Sequence, residues 1–349
     1  MHKKDYIGLC GVIVIIAVIP FFITNEYYIG VLVFTALNCL ACVGLSLLMG
    51  YAGQISLGHA AFIGIGAYTS GYLTVNAGLS PWLAMAAGII LVVFISLIVG
   101  VPALRLKGHY LAMATLGFAS IIHIAEVAAI GITGGPAGMS GIPYLNLFGI
   151  ELDADIRFFY FSWSMVVIGL FLALNLIHSR MGRGMRAIHG SEDAAKSLGV
   201  NTSFYKIQIF ILSAVYASVS GSLYAYYVNY IDPGPFGVMH SVLLVTMVAV
   251  GGMHNIWGAL AGAVLLSLLP EFLSFLTEYF QFIGIEYNQD YNMIIYGGIL
   301  LFIMLFLPEG LIDGMSTLFR RISEIRVRVG HPIETQQLPK ASKRDGNNG

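Results

Sequence analysis

Ten apolar stretches recur along the chain, near 6–23, 28–49, 60–77, 81–101, 110–130, 158–177, 207–228, 237–252, 257–275 and 292–307, and they limit its fold more than any other feature. A helix rises 1.5 Å per residue, so about 20 apolar residues span the hydrocarbon of a bilayer. Only 10% of the 349 residues are charged and 58% are hydrophobic, where a soluble domain carries about a quarter charged. The bilayer is therefore the solvent. In lipid every backbone N–H and C=O must be satisfied internally, so the expected fold is an all-α polytopic integral membrane protein of about ten transmembrane helices. The stretches 237–252 and 292–307 are the shortest and are read as spans or half-spans.

The positions of Lys and Arg test that count, because cytoplasmic loops retain positive charge. With the N-terminus inside, sixteen of the seventeen fall on the cytoplasmic side, and only Arg157 falls outside. A miscounted helix between the charged loops would move every later charge to the other side. Both termini are therefore expected in the cytoplasm, with the loop 179–206 inside and the loop 132–157 outside. Residues 1–318 form the membrane domain, and 319–349 read as a basic, polar, disordered cytoplasmic tail. Two inside turns, Gly50 to His59 and Gly251 to Trp257, carry no Lys or Arg and remain open as simple turns or re-entrant features. His2, Lys3 and Lys4 before the first apolar run resemble a secretory signal, but no small-residue cleavage site follows, so the run is kept as a span.

The stretch Gly50 to Tyr68 holds five glycines with Gln54, Ser56 and His59 between two apolar runs. Irregular backbone at membrane depth is tolerated where it is buried in protein or lines a watery cavity, so this segment reads as the wall of a path. The alternative is a tight small-residue hairpin that lets two helices approach. On the outer side, Thr133, Gly134 and Gly135 open a stretch to Gly141 with five Gly or Pro residues, too many for regular helix. It reads as a plain surface loop or as a lid at an outer mouth. In the large inside loop, Ser191 is placed to N-cap a short helix, Glu192 and Asp193 to meet its positive end, and Gly199 to close it. Ala194, Ala195 and Leu198 are expected to share one face of that helix. The helix is read as a docking element for a cytoplasmic partner, or as an amphipathic turn in the headgroups.

Some chemistry is excluded. No Gly-Lys dipeptide occurs, so G-x-x-x-x-G-K-[ST] is absent, and uphill transport must draw on a partner or an ion gradient. No zinc-binding H-x-x-x-H pair or G-x-S-x-G elbow points to an enzyme, and no metal site or nucleic-acid partner is expected. Cys10, Cys39 and Cys42 lie in apolar runs, and the C-x-x-C pair Cys39 and Cys42 reads as packing residues. His123 and Glu126 share a helical face, either as a proton relay or as a hydrogen-bonded pair near the outer interface. No lone charge is expected in the centre of a span. Asn38, Thr115 and Asn175 are isolated polar residues suited to interhelical hydrogen bonds, and Trp82, Trp163 and Trp257 read as interface anchors.

Four motifs in order carry a resemblance: GYAGQISLGHAAFIGIGAY at 50–68, LRLKGHYLAMATLGFA at 104–119, TGGPAGMSGIP at 133–143, and SRMGRGMRAI with SEDAAKSLGV across 179–200. They resemble the LivM-type permease subunits of branched-chain amino acid ABC importers, and Asp193 to Gly199 is similar to the E-A-A-x-x-x-G loop of ABC permeases. The resemblance implies a bacterial or archaeal cytoplasmic-membrane importer. Its partners would be a second, LivH-like permease subunit, two cytoplasmic ATPases that hydrolyse ATP with Mg, and an extracytoplasmic solute-binding protein. The chain itself would hold no cofactor. Ser191, Glu192, Asp193, Ala194, Ala195, Leu198 and Gly199 would form the ATPase-coupling element. Gln54, Ser56, His59 and Thr115 are the candidates to meet the solute's ammonium and carboxylate. The chain departs from similar sequences at His109 and Ser120, often acidic there, and at Ala137, often Asn, so no charged role is carried to those positions. A urea, amide or sugar permease of the same architecture, or an ion-coupled secondary transporter, is the alternative.

Overall fold

The computed structural model describes residues 3–23, 25–106, 108–147, 149–282, 290–307, 310, 311 and 314; the tail at 319–349 lies outside them. The helices are α1 (Lys3–Phe22), α2 (Glu26–Ser46), α3 (His59–Val75), α4 (Pro81–Ala103), α5 (His109–Ala128), α6 (Ile130–Thr133), α7 (Asp155–His178), α8 (Arg180–Gly190), α9 (Glu192–Ser197), α10 (Thr202–Val228), α11 (Val238–Gly251), α12 (Ile256–Phe282) and α13 (Asp290–Phe306). Two antiparallel strand pairs complete the order, β1 (Met139–Ser140) with β4 (Tyr230–Ile231), and β2 (Asn146–Leu147) with β3 (Ile150–Glu151).

Each of the ten apolar stretches is helical, but the helices are not equal. Seven are long and apolar enough to cross a membrane, whereas α3, α11 and α13 have 17, 14 and 17 residues. At 1.5 Å per residue, α3 and α11 are only about 25 Å and 21 Å long, short of a ~30 Å hydrocarbon core. Local chemistry sets several ends. Asn25 and Asn201 accept backbone N–H groups of Tyr27 and Phe204 as N-caps, Pro81 starts α4, and Asn229 ends α10 in the left-handed conformation.

At the centre of the bundle lies α3, with 13 of its 17 residues buried. It meets α10 through small residues: a Cβ on Gly66 or on Gly221 would overlap the carbonyl of Ser218 or of Ile63. Hydroxyls link the two helices, with Ser70 Oγ donating to Ser222 Oγ (2.8 Å), Ser222 Oγ to the Gly66 carbonyl (3.2 Å), and Thr74 Oγ1 bonded to Tyr226 OH (3.0 Å). Lipid tails give apolar side chains no reason to leave them, so close backbone approach and interhelical hydrogen bonds hold such a pair, at roughly 0.6 kcal/mol per bond. The paired positions ascend together, so α3 and α10 are parallel. Contacts of α2 with α10 run the other way, from Gly44 on Tyr216 to Ser220 Oγ on the Leu37 carbonyl (2.9 Å) and Gly30 against Tyr227. Helix α4 buries Ala84, Gly88, Val92, Ser96 and Gly100, a four-residue repeat forming one narrow seam. Its large side chains, among them Leu83, Ile90, Phe94 and Ile98, are exposed on the remaining surface, as a lipid-facing helix requires.

Two expectations need correction. Trp163 is no interface anchor: α7 begins at Asp155, and the indole lies inside the bundle, donating to the Leu32 carbonyl (3.1 Å). The inside loop holds two helices and not one, because Ser179 caps α8 by accepting from Met181 and Gly182 N–H (3.1 and 3.3 Å). Cys39 and Cys42 are buried, in keeping with their reading as packing residues, and Cys10 is exposed.

Candidate functional site

The kink between α2 and α3 starts where the α-helix loosens into a π turn over Leu47–Tyr51, a local irregularity often found at functional sites. The chain then runs without helix from Gly53 to Gly58, reversing direction while Gln54, Ser56 and His59 stay 4%, 1% and 1% exposed. Its backbone groups are satisfied from other helices. Leu57 N–H donates to Thr115 Oγ1 (3.0 Å) and Ala60 N–H to Ser241 Oγ (2.9 Å), while His59 Nε2 bonds Ser213 Oγ (2.6 Å). Thr115 thus joins the kink, as one candidate set with Gln54, Ser56 and His59. The four differ in what they can still do. Thr115 and Ser56 are engaged in holding the turn, His59 is held through Nε2 with its Nδ1 left without a partner, and Gln54 leaves Oε1 without one and lines a cavity of about 240 Å³. Its lining combines apolar Ala52, Leu106, Leu111 and Ile188 with polar Gln54, His189, Glu192 and Lys206.

That cavity joins the kink to α8 and α9. Glu192 accepts from the buried Lys206 ammonium at the base of α10 (2.7 Å) and pairs with Lys196 (3.0 Å). Burial acts to raise the Glu192 carboxyl, but the hydrogen bonds and charges of Lys206 and Lys196 outweigh it and hold the pKa down to about 2. His189 lies on Gly53, leaving no room there for a side chain, and its ring meets His254 at 5.2 Å between centroids. Burial and then the neighbouring His254 lower its pKa. Gly50 in turn abuts the Met253 carbonyl. The two turns left open by the sequence, 50–58 and 252–255, therefore each reverse the chain between antiparallel helices, touch each other, and share His189 as a common neighbour.

Within α9, Ser191 Oγ accepts from Ala194 N–H (3.3 Å), and Gly199 closes the helix at φ +81°, with Val200 N–H donating to the Ala195 carbonyl (3.0 Å). Leu198 is 82% exposed and Ala194 and Asp193 are exposed, but Ala195 is 1% exposed. The expected common face of Ala194, Ala195 and Leu198 is thus split. Residues four apart share a helical face, and Ala195, one position on from Ala194, turns inward.

At the opposite end, Thr133 caps α5: its hydroxyl lies 2.6 Å from the Glu126 carbonyl and 2.9 Å from that of Ala129. Gly134 has φ +78°, and a Cβ there would overlap the Gly138 carbonyl, so only glycine fits. Strand pairing of Met139 with Ile231 ties this segment to the start of the 230–237 connection. Below it, Glu126 is not the interface pair expected. Its side chain is buried, one carboxylate oxygen is pressed onto Gly64 of α3, and His123 Nδ1 is 3.7 Å away, beyond hydrogen-bond distance. Sequence spacing placed the pair on one helical face but gave no depth, and the glycine that admits the carboxylate is 62 residues away. Among the described residues no cluster of three His, Cys, Asp or Glu side chains is placed to hold a metal ion.

Comparison with known proteins matches residues 27–304 to the family model described as branched-chain amino acid transport system / permease component. The chain is 29% identical to the high-affinity branched-chain amino acid transport system permease protein LivM of Salmonella typhimurium and 28% identical to that of Escherichia coli, each over 88% of this chain and 75% of the relative. It is 27% identical to the ribose import permease protein RbsC of Escherichia coli, over 81% of this chain and 89% of that protein. No solved structure matches.

Proposed function

Since the chain belongs to the branched-chain amino acid transport system permease family, we propose that it is the membrane permease subunit of an ATP-driven ABC importer that moves branched-chain amino acids delivered by a solute-binding protein. Residues 1–318 are its permease domain, paired with a second related permease subunit and driven by two ATPases on the cytoplasmic side. The observation that carries the reading is the joining of α9 to the buried kink through Lys206, Glu192, His189 and Gly53. Force applied to α9 reaches the path wall through packed groups, with no flexible loop between.

In this mechanism an ATPase grips the exposed Leu198 and Ala194 of α9. ATP binding closes the ATPase pair, and α8 and α9 move with it. The ion pair to Lys206 carries that motion to α10, and through α10 to α3, to which it is bonded along its length. The helices flanking the kink then exchange outward for inward access. ATP drives the exchange because it binds one arrangement of the partners more tightly than the other. The cavity beside Gln54, lined by both apolar and polar side chains, suits a hydrophobic amino acid on its way out.

Similarity to a ribose permease favours one second reading, the same architecture moving a sugar. Proteoliposomes holding this chain, its companion permease, the ATPases and the binding protein decide between them. Leucine uptake that needs ATP supports the amino acid reading, and ribose uptake without leucine uptake supports the second. Uphill uptake by the permease alone, driven by an ion gradient, contradicts both.

A further inference from the structure

Among the described residues, eight buried side-chain polar atoms lack a hydrogen-bond partner, and four of them lie together: both carboxylate oxygens of Glu126, Nδ1 of His123 and the hydroxyl of Tyr68. Glu126 is 5% exposed and Tyr68 6%. The carboxylate sits on Gly64, Tyr68 follows one turn later on the same helix, and Phe236 covers both, its Cβ above Gly64 and its ring 5.9 Å from that of Tyr68. Gly64 is five residues into α3, so the carboxylate lies about 7.5 Å along that helix from His59 and the kink, well inside the bundle. An unpaired carboxylate in hydrocarbon is costly, and such a group persists where function requires it.

We propose that Glu126, with Tyr68, is a binding site for the primary ammonium of the transported amino acid, occupied as the solute passes between the outer mouth and the kink. This rests on the amino acid reading above and deepens it. The missing partner is not a side chain of a neighbouring subunit, because Glu126 faces inward, onto α3 and the 230–237 connection of its own chain. It is a cation by the charge of the site. Three oxygens and two aromatic rings suit an ammonium, with its three N–H donors and its attraction to ring faces. An inorganic divalent cation asks for about six oxygen ligands or more. The roof is the Thr133 to Gly138 segment, whose Thr133 hydroxyl is hydrogen-bonded to the Glu126 carbonyl, so movement of the outer segment is transmitted to the site.

The test is the number of leucine molecules imported per ATP hydrolysed by the reconstituted complex, counting only the hydrolysis that leucine-loaded binding protein stimulates, to which misassembled complexes do not contribute. In Glu126→Gln the ratio falls about tenfold or more, as loss of a buried charge partner does. In Glu126→Asp it stays within about threefold of the starting chain, and Tyr68→Phe falls between the two. A ratio unchanged in Glu126→Gln overturns the proposal and leaves the function standing. So does a ratio in the starting chain that collapses when sodium is replaced by choline, since the cation is then inorganic. A starting chain that imports ribose but no amino acid overturns the function and the site together.

Discussion

At the scale of the residue, the account turns on where small side chains let backbone or charge come close. Gly221 touches the Ile63 carbonyl, so Gly221→Ala must force α3 and α10 apart. Overpacking of this kind costs about 1–3 kcal/mol, and thermal unfolding in detergent is expected to shift down, whereas Gly117→Ala, inside α5 and meeting nothing within 4 Å, does not lower it. Much of this scale was legible in the sequence. Ser191 and Gly199 announce the ends of α9 by residue type, and the polar trio among glycines marks the kink. What could not be read is which polar group is already engaged. Gln54, Ser56 and His59 look alike in sequence, and only the fold shows that Ser56 accepts from Gly58 N–H and His59 is held by Ser213, while Gln54 turns an unpartnered Oε1 to the cavity lining. The depth of Glu126 was hidden for the same reason, because a pattern along one helix says nothing of a glycine on another.

At the scale of the element, α9 is tied to α10 by the ion pair of Glu192 with Lys206, and α8 to the two turns by His189 on Gly53 and His254. Lys206→Met leaves Glu192 with the exposed Lys196 and the long contact from the Thr202 hydroxyl and is expected to loosen α9 by about 1–3 kcal/mol, read as faster hydrogen exchange at Ala195 and Val200; the double variant with Glu192→Leu recovers most of the protection. His189 adds a pH dependence of known sign. Its pKa is lowered from 6.5 in the folded protein by burial and by His254, so the folded state disfavours its protonated form. The stability it contributes is complete above about 6.5 and is lost as pH falls through the lower folded value. Protection of the α8 amides, taken relative to intrinsic exchange at each pH, is therefore expected to fall from about pH 7.5 to about 5, and to fall less in His189→Asn. Ten helical stretches were readable from apolar run length, as was the irregular outer loop, but α8 was not, because its three glycines argue against helix while the Ser179 cap and packing against α7 and α10 outweigh them.

At the scale of the whole molecule, directions agree with a chain that crosses back and forth: α3 and α10 parallel, α2 and α4 opposed to α10, α11 opposed to α12. The kink, the 252–255 turn, α8 and α9 gather at one end, and the Thr133 segment with β1 and β4 at the other. The central claim is that force from a partner enters through α9. Disulfide trapping tests it in the assembled importer, with one cysteine introduced at Leu198→Cys and another in the ATPase cleft. The account predicts a crosslink at Leu198→Cys that stops leucine import and none at the inward-facing Ala195→Cys. A Leu198→Cys protein that never crosslinks, or one labelled only by a reagent confined to the outside of the membrane, contradicts it.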